Sequence, residues 1–525
     1  MIKLIAQSVI ELFLKLFTFL SMHRVDKIRY KPESYALDFS TTDQTIKDLL
    51  EAHPEQSGFY LLENNIDAFT ARCNLINQAQ HTLDLQYYSF HGDTSGKLIA
   101  KALIQAADRG VRVRVLLDDI DTLGTDEAMR IFNAYPSIEI RIFNPFYFRG
   151  LLRYLEFIVD LSRVGRRMHN KVMIADNALA IVGGRNISDV YFSADPDLSF
   201  LDVDLLTLGP VVKNISMSFD EYWNSRWSVP VAILYERPKR LYASNKIKSF
   251  LKKYQDEIKQ LDYVKMTELS KLETGMSLPK LPFIWSAATL FYDLPDKIDP
   301  GVVQSTSKNG SHLRNRLHNI FAMAKEEITI ISPYFVPGDD AVKWFESLIE
   351  QGIKVNVFTN SLAATDVTAV HAGYEIYRRG LLEAGVNLFE LKATAYVKER
   401  KRFKILRADS RASLHAKTLI IDQSKLFMGS PNLDPRSTDL NTEIGLFIDN
   451  KELSDQFLNL LSDISSGQNS YRLMLDKNKK SNKSQILWQS EENGELKQYT
   501  SEPEVGVLRK LKVAFFSLLP IEHLL

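Results

Sequence analysis

One cysteine, Cys73, stands among 525 residues, so the chain can close no intramolecular disulfide and build no cysteine-based zinc site. Neither its stability nor its chemistry depends on sulfur. Excess charge is missing as well, with 65 Lys plus Arg against 65 Asp plus Glu. Without an overall positive field the protein cannot hold a polyanion such as DNA by counterion release, and anion binding must come from local clusters. Repeated long apolar runs of the multi-span kind are also lacking: hydrophobic residues at 45% and charged residues at 25% are the proportions of an ordinary folded protein. A chain of this length exceeds one compact core and predicts two or three domains.

What is present begins with two membrane-active ends. From Leu4 to Leu20 the chain is apolar except for Lys3, Gln7, Glu11, Lys15 and Thr18, which recur every three or four residues and form one narrow polar stripe. Two charges inside the segment cost about 3 kcal/mol each, which offsets the gain from its large apolar residues and brings spanning near break-even. A helix lying in the interface, followed by Arg24, Lys27, Arg29 and Lys31 near anionic headgroups, fits better than a clean span or a signal peptide. At the other end Leu508, Leu511, Phe515, Phe516, Leu518 and Leu519 alternate with Arg509, Lys510 and Lys512. The competing reading of each end is a helix docked on the protein's own core.

Between these ends the same order of elements occurs twice. Helix Ala68 to Ala79, strand Thr82 to Tyr88, helix Lys97 to Asp108 and strand Val111 to Leu117 are matched by Leu313 to Lys325, Ile328 to Tyr334, Asp340 to Glu350 and Ile353 to Phe358. Gly110 and Gly352, 242 residues apart, end equivalent helices. Alternating strands and helices predict an α/β class, with a central mixed sheet flanked by helices in each half. The expected divisions are a membrane-associating segment 1–40, a first domain 41–243, a helical connector 244–285, a second domain 286–476, and a polar tail with an amphipathic end over 477–525.

Late in each half stand a histidine, a lysine two residues on and an aspartate five beyond that: His169, Lys171 and Asp176, then His415, Lys417 and Asp422. Strand alternation puts His and Lys on one face, where a single phosphoryl group can meet both. Each triplet runs through an apolar strand into a glycine turn and an asparagine, Asn186 or Asn432, 17 positions after its histidine. One such match is weak; two with the same offset inside a wider repeat are specific. The competing reading, a satisfied core histidine beside a solvated lysine, would have to explain both copies at once.

Phosphodiester cleavage suits this set, one imidazole attacking phosphorus while the other, protonated, gives its proton to the departing alcohol. Lys171, Lys417, Asn186 and Asn432 would donate to the non-bridging oxygens, with no metal and no other cofactor in the scheme. Each imidazole needs an acceptor on its other nitrogen, and Asp204 and Glu443, each opening an apolar strand after its asparagine turn, are the candidates. Asp176 and Asp422 complete the catalytic motif by sequence, but are expected to hold the turn and its backbone.

The duplicated motif with its trailing asparagine resembles the phospholipase D superfamily over nearly the whole chain. Arg167-Met-His-Asn-Lys, Ile181-Val-Gly-Gly-Arg-Asn-Ile, Asn360-Ser-Leu-Ala-Ala-Thr-Asp-Val and Asn432-Leu-Asp-Pro-Arg-Ser resemble the bacterial cardiolipin synthases, above all the subgroup able to use phosphatidylethanolamine with phosphatidylglycerol. The closing Leu518-Leu519-Pro520-Ile521-Glu522 is similar to that subgroup's C-terminus. The resemblance implies two phospholipase D-type domains related by a pseudo-twofold, with the active site at their interface. It also implies attack by the first histidine, acid catalysis by the second, phospholipid substrates, and a place at the bacterial inner membrane, peripheral or N-terminally anchored. Many members of that subgroup carry a lipoprotein signal that this chain lacks.

Two inserts are expected to flank the site's mouth and gather anionic lipid. The first is Gly150 to Leu161, with Leu151, Leu152, Leu155, Phe157, Ile158 and Leu161 beside Arg149, Arg153, Arg163, Arg166 and Arg167; the second is basic, with Lys398, Arg400, Lys401, Arg402, Lys404 and Arg407. A core helix and a solvated loop are the competing readings. His371, with Tyr374 and Tyr377, belongs either to a headgroup pocket or to helix packing. Three other functions compete: a hydrolase in which water resolves the phosphohistidine, a nuclease, which the neutral charge disfavours, and a lipid-binding scaffold, which would have lost part of one motif. Sequence leaves open the donor lipid and any protein partner.

Overall fold

A computed structural model describes residues 44–234, 280–300, 313–395, 411–476 and 485–518. The N-terminal segment 1–40, nearly all of the connector, the basic insert around Lys398 to Arg407 and the last residues of the chain lie outside the described residues.

After a helix over Gln44–Ala52, the first half runs through β1 (Ser57–Leu62), α1 (Asn65–Gln78), β2 (Thr82–Tyr87), α2 (Thr94–Asp108), β3 (Arg112–Asp118) and β4 (Ile138–Phe143). Local chemistry sets these boundaries. Asn64 caps α1 by accepting from the Ile66 and Asp67 amides, Asp93 caps α2 through the Gly96 amide, and Gly110 takes the left-handed backbone after α2 at φ 92°. In β2 the leucines at 83 and 85 enter the helix-covered core, while Asp84 on the opposite face meets Arg114 of β3, directly across in the parallel register, at 2.6 Å. Helix α3 (Arg153–Val159) follows, then the hairpin β5 (Lys171–Ala175) and β6 (Leu179–Gly183), β7 (Leu198–Leu201), β8 (Asp204–Leu208), α4 (Pro210–Trp223) and β9 (Ser228–Pro230).

The chain then gives β10 (Ile284–Ser286) to the first sheet and β11 (Ala288–Tyr292) to the second. The second half repeats the first: α5 (Leu313–Phe321), β12 (Glu327–Ile331), α6 (Gly338–Glu350), β13 (Lys354–Asn360), α7 (Thr368–Ala384), β14 (Asn387–Leu391), β15 (Arg411–Leu414), β16 (Thr418–Ile421), β17 (Lys425–Gly429), β18 (Ile444–Asp449), α8 (Lys451–Ser465) and β19 (Ser470–Asp476). Both sheets are mixed. The order β1-β8-β6-β5-β2-β3-β4-β9 in one is matched strand for strand by β11-β18-β17-β16-β12-β13-β14-β19 in the other. Equivalent strands carry the two histidine motifs.

A correction concerns the expected polar tail. Within it, β20 (Gln485–Glu492) and β21 (Glu495–Tyr499) form a hairpin that extends the second sheet, and α9 (Val507–Ser517) follows. Alternation explains this: Trp488 and Ser490 are buried between half-buried neighbours, and the Trp488 indole N–H donates to the buried Glu390 carboxylate at 2.9 Å.

The halves share one core. Leu205, Phe59 and Val182 of the first lie in the same apolar cluster as Ile331, Leu414, Ile444 and Leu446 of the second, each such side chain worth about 1.5–3 kcal/mol when fully buried. A two-stranded parallel ribbon of β7 and β15 crosses the interface, with Leu201 opposite Leu414, and a second crossing puts Met168 opposite Thr442. These registers position the site. Among the described residues no helix is long and apolar enough to cross a membrane.

Candidate active site

Each histidine follows a residue that pairs with the other half. His169 comes one position after Met168 and its amide donates to the Thr442 carbonyl at 2.8 Å; His415 follows Leu414 and donates to Leu201 at 2.7 Å. The next residue along each partner segment is an acid. His169 Nδ1 lies 2.9 Å from a Glu443 oxygen, and His415 Nδ1 lies 2.6 Å from Asp202 Oδ2. Each half therefore supplies the carboxylate that orients the other half's imidazole.

Glu443 is placed as expected, but Asp204 is not, and this corrects the sequence reading. The Asp204 carboxylate is taken by Arg72 at 2.9 Å and Arg185 at 3.1 Å, and so is not offered to an imidazole. Asp202 was missed, although a signal was available. In the sheet registers Gly183 faces Asp204 and Gly429 faces Gly445, so Asp204 corresponds to Gly445 and Asp202 to Glu443. Aligning Asp202-Val-Asp-Leu-Leu with Glu443-Ile-Gly-Leu-Phe shows the same offset. The turn glycines make the approach possible: a Cβ on Gly184 would collide with the Asp202 carboxylate, and one on Gly429 with the Ile444 and Gly445 backbone.

The lysines stand beside their histidines. Lys171 Nζ donates to the His169 carbonyl at 2.6 Å, and Lys417 Nζ lies 3.2 Å from His415 Nε2. Asn186 accepts from the Ser89 amide at 3.3 Å and donates to the Tyr191 hydroxyl at 3.0 Å, while the buried Asn432 Oδ1 has no hydrogen bond among the described residues. Tyr191, which the sequence reading also missed, reaches to 3.4 Å from His415 Nε2 and sets its ring edge-on to that imidazole; Phe200 stacks on it, and Tyr88 meets His169 edge-on. Among the described residues His169 Nε2 has no hydrogen-bond partner. Ser430 donates to Glu443, fixing that carboxylate from the other side.

Asp176 and Asp422, part of the motif by sequence but expected to hold the turn, are not brought to this cluster. Asp176 accepts from the amides of Gln80, His81 and Thr82, and Asp422 from those of Lys325, Glu326 and Glu327, at 2.7–3.1 Å. Both have left-handed backbone, φ 51° and 48°, which aspartate tolerates better than most residues. They pin the turn after β5 or β16 to the entrance of β2 or β12.

Burial governs the electrostatics. It pushes His169 and His415 down to about 4, against the raising pull of Glu443 and Asp202. Burial also lowers Lys171 to about 7 and Lys417 to about 8. For Asp202 and Glu443 burial works against ionisation, but the adjacent imidazoles and lysines outweigh it and hold both near 2. Neutral imidazoles facing ionised acids and lysines readily titrated near neutrality make a site poised to take an anion and a proton together. The halves feel each other's charge: Lys417 lowers both His169 and Lys171.

The arginines of the first insert are committed internally rather than offered to headgroups. Arg149 pairs with Asp119 and Asp126, Arg163 with Glu156 and Asp160, and Arg167 is buried against Asp118 at 3.2 Å. The insert's apolar residues Leu151, Leu152, Leu155, Ile158 and Leu161 are exposed, so a core-helix reading fails for them. His371 packs: its Nε2 meets Glu502 at 2.9 Å beside Arg378. A cleft of about 1080 Å³ between the halves is lined by Leu201, Asp202, Ala416 and Phe457 but by neither histidine.

The chain matches the family model described as cardiolipin synthase, phospholipase D-like domain, twice, over residues 73–223 and 317–465. It is 39% identical to cardiolipin synthase C of Escherichia coli over 477 residues, 91% of this chain and 98% of that protein. Cardiolipin synthase 1 of Bacillus cereus is 25% identical over 388 residues, 73% of this chain and 62% of that one. Among solved structures, phosphatidylserine synthase of Haemophilus influenzae superposes with a TM-score of 0.55 at 14% identity, covering 92% of this chain and all of that one, a likeness of fold.

Proposed function

The chain belongs to the cardiolipin synthase family of phospholipase D-like proteins, and from that premise we propose that it forms cardiolipin from phosphatidylglycerol through a phosphohistidine on His169. The reciprocal gift of carboxylates carries this reading. With Nδ1 of each imidazole engaged by Glu443 or Asp202, Nε2 is the reactive atom of both. His169, whose Nε2 has no hydrogen bond among the described residues, attacks phosphorus. The bond to the headgroup oxygen breaks, and His415 gives that oxygen its proton, leaving the phosphatidyl group on His169. The primary hydroxyl of a second phosphatidylglycerol then yields its proton to His415 and displaces His169. Phosphatidylethanolamine would serve as donor by the same steps, releasing ethanolamine.

Lys171, Lys417, Asn186 and Asn432 donate to the non-bridging oxygens as charge spreads over them. Protonation of His415 comes with the substrate, because the phosphodiester anion counters the burial that keeps the empty site's imidazole neutral. The substrates being lipids, the enzyme would work at the bacterial inner membrane, held peripherally or by its N-terminal segment.

Mass spectrometry of the products from labelled phosphatidylglycerol, with and without phosphatidylethanolamine, tests this reading. Cardiolipin carrying the label is the expected product. Phosphatidic acid alone, at high lipid-alcohol concentration, would instead establish a hydrolase.

A further inference from the structure

Two helices from unrelated parts of the chain stand on equivalent loops of the two halves, and both turn apolar residues outward. In the first half, β3 ends at Asp118, whose carboxylate accepts from the Met168 amide next to His169 at 2.8 Å. The loop beyond it carries the insert: Arg153 of α3 donates to the carbonyls of Asp119 and Ile120, and Arg149 pairs with Asp119. In the second half the equivalent residue is Asn360, which accepts from the Leu414 amide next to His415, also at 2.8 Å. The loop beyond it carries α9: Arg509 donates to the carbonyls of Ala363 and Thr365, and Val513 and Phe516 pack with Leu362 and Ala372.

Outward from these supports lie Leu151 at 79% exposure and Ile158 at 74% on one side, and Leu508 at 78% and Leu518 at 83%, with Leu511 and Phe515 between them, on the other. On α9 these four recur every three or four residues and make a stripe opposite Val513, with exposed Lys510 and Lys512 along its two edges. A helix whose solvent face is apolar and whose flanks are basic has the pattern of one lying in a headgroup layer. It is also held firmly: Glu502, just before α9, accepts from Arg378 at 2.7 Å and lies 2.9 Å from His371 Nε2 in a part-buried cluster.

We infer that α9 and the Gly150–Ile158 insert form a paired docking surface for an anionic phospholipid bilayer, one on each side of the mouth of the histidine site. The inference rests on the reading of that site as a lipid phosphotransferase. Lysines at the edges of the stripe complement anionic headgroups; a second copy of this chain, neutral overall and bearing the same lysines, offers no such match. Rigid footing on the loops that abut the histidines fixes the mouth at the height of the headgroups.

The test uses the full chain with Cys73→Ser and a single new cysteine, Leu511→Cys or Ile158→Cys, carrying an environment-sensitive fluorophore. Lys451→Cys on exposed α8 is the control. Vesicles of phosphatidylglycerol and phosphatidylethanolamine should shift the emission to the blue at positions 511 and 158, with quenching by brominated acyl chains, and leave position 451 unchanged. No shift at 511 and 158 would overturn the inference, as would a shift that appears without vesicles and grows with protein concentration. This readout needs no turnover, so it stands or falls apart from the proposed reaction. In a second arm, Leu508→Asp with Leu511→Asp should lower turnover of vesicle phosphatidylglycerol at least tenfold and leave turnover of dispersed short-chain phosphatidylglycerol within twofold. Equal losses on both substrates would count against it.

Discussion

Replacing Asp202 by asparagine removes one charge and almost no volume. The substituted amide can still accept the Nδ1 proton of His415, so orientation survives while the anion that stabilises a protonated ring is lost. Two unit charges about 4 Å apart at an effective dielectric constant near 20 attract by about 4 kcal/mol. Losing that attraction only when His415 carries the proton slows the step by roughly 10³-fold. The assay is the initial rate of cardiolipin formation from labelled phosphatidylglycerol, with kcat and KM separated, alongside the unfolding midpoint in denaturant. Asp202→Asn should lower kcat by that factor with a near-native midpoint. Asp204→Asn should do the reverse, because its carboxylate holds Arg72 and Arg185 in the core and breaking a buried ion pair costs about 3–5 kcal/mol. Full activity per folded molecule in Asp202→Asn, or inactivity in a stably folded Asp204→Asn, would refute the cross-half pairing.

The remaining predictions concern protons, turns and metals. Both histidines are held at about 4 in the folded chain against about 6.5 when unfolded, so their contribution to stability is present above the unfolded value and lost as pH falls through 6.5 toward 4. Denaturant titrations at pH 8, 6 and 5 should show this loss, and His169→Gln with His415→Gln should flatten it. A tetrahedral oxyanion such as vanadate should bind with proton uptake, read by calorimetry in buffers of different ionisation enthalpy; uptake of no protons would contradict the poised neutral site. Asp176→Asn should lower the unfolding midpoint while the folded fraction keeps near-normal kcat, because its carboxylate serves backbone amides and not the phosphate. Activity should persist in a strong chelator, since the Lys171 and Lys417 ammonium groups and the Asn186 and Asn432 amides would supply the donors to the phosphoryl oxygens.

Much of this arrangement was legible in the sequence because it obeys local rules. Strand alternation puts His169 with Lys171 and His415 with Lys417, and the repeated helix-ending glycines expose the duplication. The carboxylate partners were harder, because they are set by contacts across the halves. Asp204 and Asp202 share one face of an extended segment and both are acidic, so only the register of β6 with β8 decides which one meets an imidazole and which one meets arginines. The polar hairpin of β20 and β21 was read as a tail for a similar reason. Its stability comes from Trp488 reaching Glu390, a contact with a residue nearly a hundred positions earlier that local composition does not announce.

The crossed carboxylates have a consequence for how the two copies can diverge. A half chain alone would carry an imidazole with nothing to orient it, and a symmetric pair of identical halves would have two interchangeable rings. Fusion in one polypeptide removes the need to find a mate and lets each ring acquire its own surroundings. Here Glu443 and Ser430 serve one, while the shorter Asp202, with Tyr191 and Phe200, serves the other. Inherited symmetry gives each ring a carboxylate from the other half, and the small departures from it make the surroundings of the two rings differ.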